Sequence, residues 1–316
     1  MSYVINIGPP FWDETTPLPK QNEEIGKYIV KSLINSSNSA YYYMCLDTED
    51  NQVKVIKFIK MLEDRSVRIA DEINSLSLAQ DTNIIKILDF FRYNSYFCIL
   101  FPYTPLLSVH QYILNEYPGG IPEKVAANML HQMLNAIEIL HENNIWNRDI
   151  KPESFLVFDP LDGSDLNNPN ILLFNFEYAK IFNEGEKGTD FIGTPDFMAP
   201  EVINKIPYDD SIDIWSLGVS LFMMLTNKLP FPEYRTDQQE YLKKVSKGDL
   251  NYDILTEKGI SQPAIDLIKS MCQLDPRQRI TANDALNNSW VLQSLDGSSD
   301  EKKTPVESSD YSSQAF

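Results

Sequence analysis

Along the first sixty residues, β-branched and aromatic side chains come in short runs broken by polar clusters. GKYIVKSLI (26–34), AYYYMCLD (40–47) and QVKVIKFI (52–59) are separated by Asn/Ser or Asp/Glu groups, which predicts an antiparallel meander. The period then lengthens. In EKVAANMLHQMLNAIEILH (123–141), Leu130, Leu134, Ile137 and His141 recur at helical spacing, and Pro122 suits the first turn. SQPAIDLIKSMCQ (261–273) and TANDALNNSWVLQ (281–293) open on Ser261 and Thr281 as N-cap candidates. A strand-rich front and a helix-rich back predict an α+β chain of two lobes. WSLGVSLFMML (215–225) is too short to cross a bilayer and reads as a buried helix. Residues 1–26, rich in Pro and acids, and 293–316, Ser-rich and acidic, read as mobile tails. No secretory signal and no internal repeat is visible.

Charge narrows the partners. With 27 basic and 45 acidic residues the net charge is -18, which repels nucleic acid and anionic membrane surfaces, disfavours acidic partners, and leaves a protein partner or a basic peptide as the expectation. The three cysteines, Cys45, Cys98 and Cys272, have no metal-site spacing and make no disulfide framework, so a reducing, cytoplasmic location is expected.

Candidate chemistry begins at LHENNIWNRDIKPES (140–154), followed by GTPDFMAPE (193–201), DIWSLGV (213–219) and DPRQRITANDAL (275–286). In this order, these motifs resemble the eukaryotic protein-kinase family, Ser/Thr type, over roughly residues 27–292. The lengths from KPES to NFE and the GTPDFMAPE segment resemble the calcium/calmodulin-dependent group within it. The resemblance implies a two-lobed fold, with a small β-rich lobe over 27–103 and a larger helical lobe over 104–292. It implies Asp149 as base, Lys151 at the γ-phosphate, and Thr194 bracing both. Lys57, in VKVIK, would be the phosphate-binding lysine paired with Glu72. Val55, Tyr41 or Tyr42, and Leu156 would line the adenine site. Leu100 would stand near its gatekeeper position, and Pro102 would remove a hinge N–H. Glu153 falls where the family reads basic substrate side chains. Glu201 with Arg279, and Asp213 under the catalytic loop, are the implied structural anchors. Asp190 falls at the activation-segment phosphorylation position, as a standing partner for Arg148 or simply as a solvated acid. No basic amphipathic stretch follows the domain, so no calmodulin-binding segment is expected.

Several chemical parts are replaced. The glycine-rich loop, whose bare N–H groups approach phosphates, reads LINSSNSAYYY (33–43) without a glycine. Val55 and a tyrosine enlarge positions that the family keeps small, which predicts a filled adenine site. The catalytic loop has Asn147 for His and Ser154 for the metal-holding Asn. The D-F-G position reads Asn175-Phe176-Glu177. At about 4 Å and an effective dielectric near 20, a unit charge pair is worth about 4 kcal/mol, so a neutral Asn175 forfeits much of the attraction for Mg²⁺. The expectation is a pseudokinase, a regulatory or scaffolding module that needs no cofactor. The alternative is an active, atypical Ser/Thr kinase that uses ATP and Mg²⁺, with Glu177 reaching the metal.

Overall fold

A computed structural model describes residues 17–37, 39–62, 66–103, 107–158, 169–231 and 238–293. The front alternation becomes a six-stranded antiparallel sheet formed by β1 (Glu24–Ile25), β2 (Tyr28–Ser36), β3 (Ala40–Asp47), β4 (Val53–Lys60), β5 (Asp89–Tyr93) and β6 (Tyr96–Pro102). The strand order is β1-β2-β3-β4-β6-β5. Successive side chains point to opposite faces, and the sheet therefore serves two cores. Tyr43, Cys45, Ile56, Phe58, Tyr96, Cys98 and Leu100 pack on the outer face. Ala40, Ile59, Phe97, Ile99 and Phe101 face inward, together with Ile69, Ile73 and Leu76 of α1 (Ser66–Leu78). One boundary moves. Glu24 and Ile25, expected to be tail, pair with Ile29 and Tyr28. Residues 1–16 and 294–316 lie outside the described residues.

The second lobe begins with β7 (Leu107–Ser108), α2 (Val109–Glu116) and α3 (Glu123–Glu142). β8 (Ile145–Trp146), β9 (Phe155–Phe158), β10 (Asn170–Leu173) and β11 (Lys180–Ile181) follow. The helices α4 (Pro200–Ile203), α5 (Ser211–Thr226), α6 (Gln238–Val245), α7 (Asp253–Glu257), α8 (Gln262–Met271), α9 (Ala282–Leu286) and α10 (Ser289–Leu292) complete it. β9 and β10 pair antiparallel from Phe158–Asn170 inward, as the ends of a hairpin-like insert whose residues 159–168 lie outside the described ones.

α5 is the axis of this lobe, buried from Ile212 to Thr226. Its polar residues survive burial by bonding their own helix. Ser220 Oγ donates to the Ser216 carbonyl at 2.8 Å, and Thr226 Oγ1 to the Phe222 carbonyl at 2.7 Å. Truncating the fully buried Phe222 to alanine is expected to cost about 3–5 kcal/mol. Among the described residues no helix is long and apolar enough to cross a membrane. Of the two N-cap candidates, Thr281 accepts from the Asp284 N–H at 3.1 Å. Ser261 does not cap α8 with its side chain. Its hydroxyl and N–H bond the Glu123 carboxylate, which also accepts from Trp290 Nε1 and so joins α3, α8 and α10.

Candidate functional site

Asp213, fully buried on α5, fixes the loop that carries the candidate catalytic residues. Its oxygens accept the backbone N–H groups of Asn147 and Arg148, each at 2.8 Å, and His141 Nε2 lies 3.2 Å away. This support holds Arg148 at a φ of 67°, a left-handed conformation unusual for a side chain of its size. Gly193 touches the same corner. A Cβ there would stand 2.7 Å from the Arg148 carbonyl oxygen, at a φ of 110°.

Asp149 projects from this loop into a closed set of hydrogen bonds. Oδ1 accepts from Thr194 Oγ1 at 2.6 Å, and Oδ2 accepts from Lys151 Nζ at 2.9 Å and from Asn175 Nδ2 at 3.0 Å. Lys151 also donates to Thr194 Oγ1 at 2.5 Å. Because a carboxylate can only accept, Asn175 must turn its NH₂ toward Asp149. Its oxygen points the other way and accepts the Glu177 N–H at 3.3 Å. Ser154 spends its hydroxyl proton on the Asp149 backbone carbonyl at 2.7 Å. Mg²⁺ demands an octahedron of oxygen ligands. The donor set here is one carboxylate with both oxygens engaged, an amide presenting hydrogens, and a bonded hydroxyl. It does not fit that ion.

The lysine stands behind this cluster. Lys57 Nζ meets Glu72 Oε1 at 2.5 Å, with both residues buried. Its ammonium lies 5.9 Å from the centre of the Tyr42 ring, and Glu177 lines the same small cavity. Burial alone would pull the lysine pKa down. Glu72, Tyr42 and Glu177 overcome it and hold the ammonium above the ordinary lysine range. Burial likewise lifts the Tyr42 hydroxyl.

In front lies a cleft of about 560 Å³, lined by Tyr42, Val55, Phe101, Leu156 and Phe174 among others, so the adenine position expected to be filled is open: Val55 and Tyr42 wall the space without occupying it. Neither Lys57, Asp149 nor Asn175 reaches its wall. The Tyr42 and Phe174 rings, both on the cleft wall, meet edge-on, 6.1 Å between centres. Two expected lining residues are corrected by strand alternation. Tyr41 lies on the outer face, edge-on to Tyr96 and under the Lys60 ammonium. Leu100 packs in the same outer core, and Phe101, opposite Val55, faces the cleft instead. At the mouth, Glu153 Oε1 bonds His110 Nδ1. The two-residue period along β3 and β6 was the signal that would have selected Tyr42 and Phe101.

The activation segment is tied twice. Arg148 Nη1 meets Asp190 Oδ2 at 2.8 Å and its Nε donates to the Tyr178 carbonyl at 2.8 Å. Deeper, Arg279 grips Glu201 with two nitrogens, at 2.7 and 3.2 Å, and its guanidinium lies over the Trp215 ring. Arg279 also donates to the Ser211 and Gln273 carbonyls, which satisfies its fork.

Residues 28–291 match the protein kinase domain family. The chain is similar to a probable myosin light chain kinase of Dictyostelium discoideum, 30% identical over 250 residues, covering 78% of this chain and 61% of that protein. It is similar to calcium/calmodulin-dependent protein kinase type 1 of Macrobrachium nipponense, 27% identical, covering 84% of this chain and 75% of the relative. The CaM kinase-like vesicle-associated protein of Homo sapiens is 27% identical, with 85% and 54% covered. The chain thus spans less than two thirds of the length of the first of these relatives. With strand sheet, central helix and catalytic-loop anchor arranged as described, and the match running nearly the whole described length, the chain belongs to the protein kinase domain family.

Proposed function

We propose that this chain is a pseudokinase, a kinase-fold binding module that regulates or scaffolds a protein partner without transferring phosphate. The observation that carries the reading is the Asn175 Nδ2 to Asp149 Oδ2 contact of 3.0 Å. In a phosphoryl-transfer site, the carboxylates at these two positions serve the metal and the substrate hydroxyl. Here an amide proton occupies the space between them. The glycine-free LINSSNSAYYY loop supports the same reading, as do the edge-on Tyr42 and Phe174 rings and Ser154 bonded to its own loop. We place the module in a reducing, cytoplasmic setting because Cys45, Cys98 and Cys272 are buried free thiols.

One set of contacts favours the second reading, an active atypical Ser/Thr kinase. Asp149, Lys151 and Thr194 are mutually bonded, and Lys57 pairs with Glu72. Melting curves with ATP, ATP plus Mg²⁺, and ATP plus EDTA separate the two. A ligand at 100 times its Kd stabilises by about 2.7 kcal/mol, and each kcal/mol moves Tm by roughly 2–4 °C at this size. The pseudokinase predicts a shift near zero that Mg²⁺ does not enlarge. A Mg²⁺-dependent rise of several degrees overturns it in favour of the enzyme.

A further inference from the structure

A second concavity, of about 490 Å³, lies between the activation segment, the end of α4 and α6. Phe191, Ile203 and Leu242 give it an apolar floor, and Lys205 and Lys243 stand in its wall. Phe191 is half exposed, and Ile206, next to Lys205 in the chain, is 54% exposed. The walls are held in place. Lys205 sits at a φ of 55° where α4 ends, with its N–H on the Val202 carbonyl at 3.1 Å. The Ile206 N–H bonds the carbonyl of Glu201, the residue anchored by Arg279. Asn204 Nδ2 reaches the Ser246 carbonyl at 3.3 Å and ties the end of α4 to α6.

The charge of this groove runs against that of the chain. The net charge is -18, yet no carboxylate lines the groove, and neither Lys205 nor Lys243 makes an ion pair among the described residues. Some lysines elsewhere are paired, as Lys187 is with Asp209 and Lys54 with Asp47. Asp190, the acid next to Phe191, is spent on Arg148. Two uncommitted cations flanking an apolar floor complement an acidic segment that carries a bulky apolar side chain.

We infer that this groove docks an acidic, apolar-anchored peptide segment of a protein partner, with Lys205 and Lys243 receiving carboxylates and Phe191, Ile203 and Leu242 receiving the anchor. The overall negative charge opposes approach from a distance. At physiological salt the Debye length is about 8 Å, so the contact lysines act while most of the distant acids are screened. The inference gives the binding module its partner class and rests on that reading. The nucleotide melts test the reading separately, because they probe a different cleft.

The test uses two fluorescein-labelled peptides, one alternating glutamate with leucine and phenylalanine, the other with lysine in place of each glutamate. Fluorescence anisotropy is measured on the full chain at physiological salt. The acidic peptide is expected to bind, and Lys205→Glu/Lys243→Glu to weaken it at least tenfold while Tm stays at the parent value. Leu242→Asp should weaken it further, and the lysine peptide should not compete. The inference is overturned if the acidic peptide does not bind the parent. Binding that survives the double charge reversal, or equal binding of both peptides, overturns it as well.

Discussion

Asn175 faces Asp149 with its amide nitrogen, 3.0 Å from Oδ2, and so supplies the hydrogen-bond donor that a cation-binding carboxylate could not. Asn175→Asp would set two carboxylates against each other in that space. One of them is expected to hold its proton well above the usual carboxyl range near 4. A carboxyl whose folded pKa is raised costs nothing below the unfolded value and destabilises progressively as pH rises through the folded one. The variant should therefore melt close to the parent near pH 4 and fall behind it toward pH 7. It should gain no phosphotransfer, because Ser154 and the glycine-free LINSSNSAYYY loop remain. Robust transfer from this change alone would contradict the ranking of defects.

Arg279→Ala leaves the Glu201 carboxylate buried without its partner, which is expected to cost about 3–5 kcal/mol. Loss of soluble expression or a steep fall in Tm is the outcome to look for. An unchanged melt would show that the pair does not hold the segment.

Asp190 is 59% exposed at its side chain, so its bond to Arg148 is worth about 1 kcal/mol or less in global stability. Its effect should appear locally. Hydrogen exchange over residues 185–198 is expected to quicken in Asp190→Ala with little change in Tm, and equal protection in parent and variant would remove the tie.

His141 is buried, which lowers its pKa, but Asp213, Asp210 and Glu138 more than compensate and the net shift is upward. A histidine raised on folding stabilises fully below its unfolded value near 6.5, and this is lost as pH rises through the folded value. The Tm difference between parent and His141→Gln should favour the parent more at pH 6 than at pH 8.5. A difference independent of pH would rule out the charged pair with Asp213.

Much of this was legible because it depends on local pattern. The meander, the helix at 123–142 and the buried run at 215–225 follow from period and length, and the kinase motifs follow from their order. Which tyrosine faces the cleft was not, since Tyr41 and Tyr42 differ by one residue and that single step exchanges the faces of a strand. Leu100 failed for the same reason, with Phe101 one place along. The place of Glu177, lining the small cavity that holds the Lys57–Glu72 pair, was hidden more deeply. That cavity joins β4, α1 and the segment after β10, and nothing in a linear spacing reports that a second acid will face it. The direction of the Asn175 amide belongs to the same class, being set by a carboxylate 26 positions earlier.

A phosphorylated residue is written and erased by other enzymes, whereas Asp190 is translated. The joint between Arg148 and the activation segment therefore exists from the moment the chain folds and has no chemical reset. A protein with such a joint cannot be turned down there by a phosphatase. Covalent marking at this position is therefore no lever on the Arg148 joint.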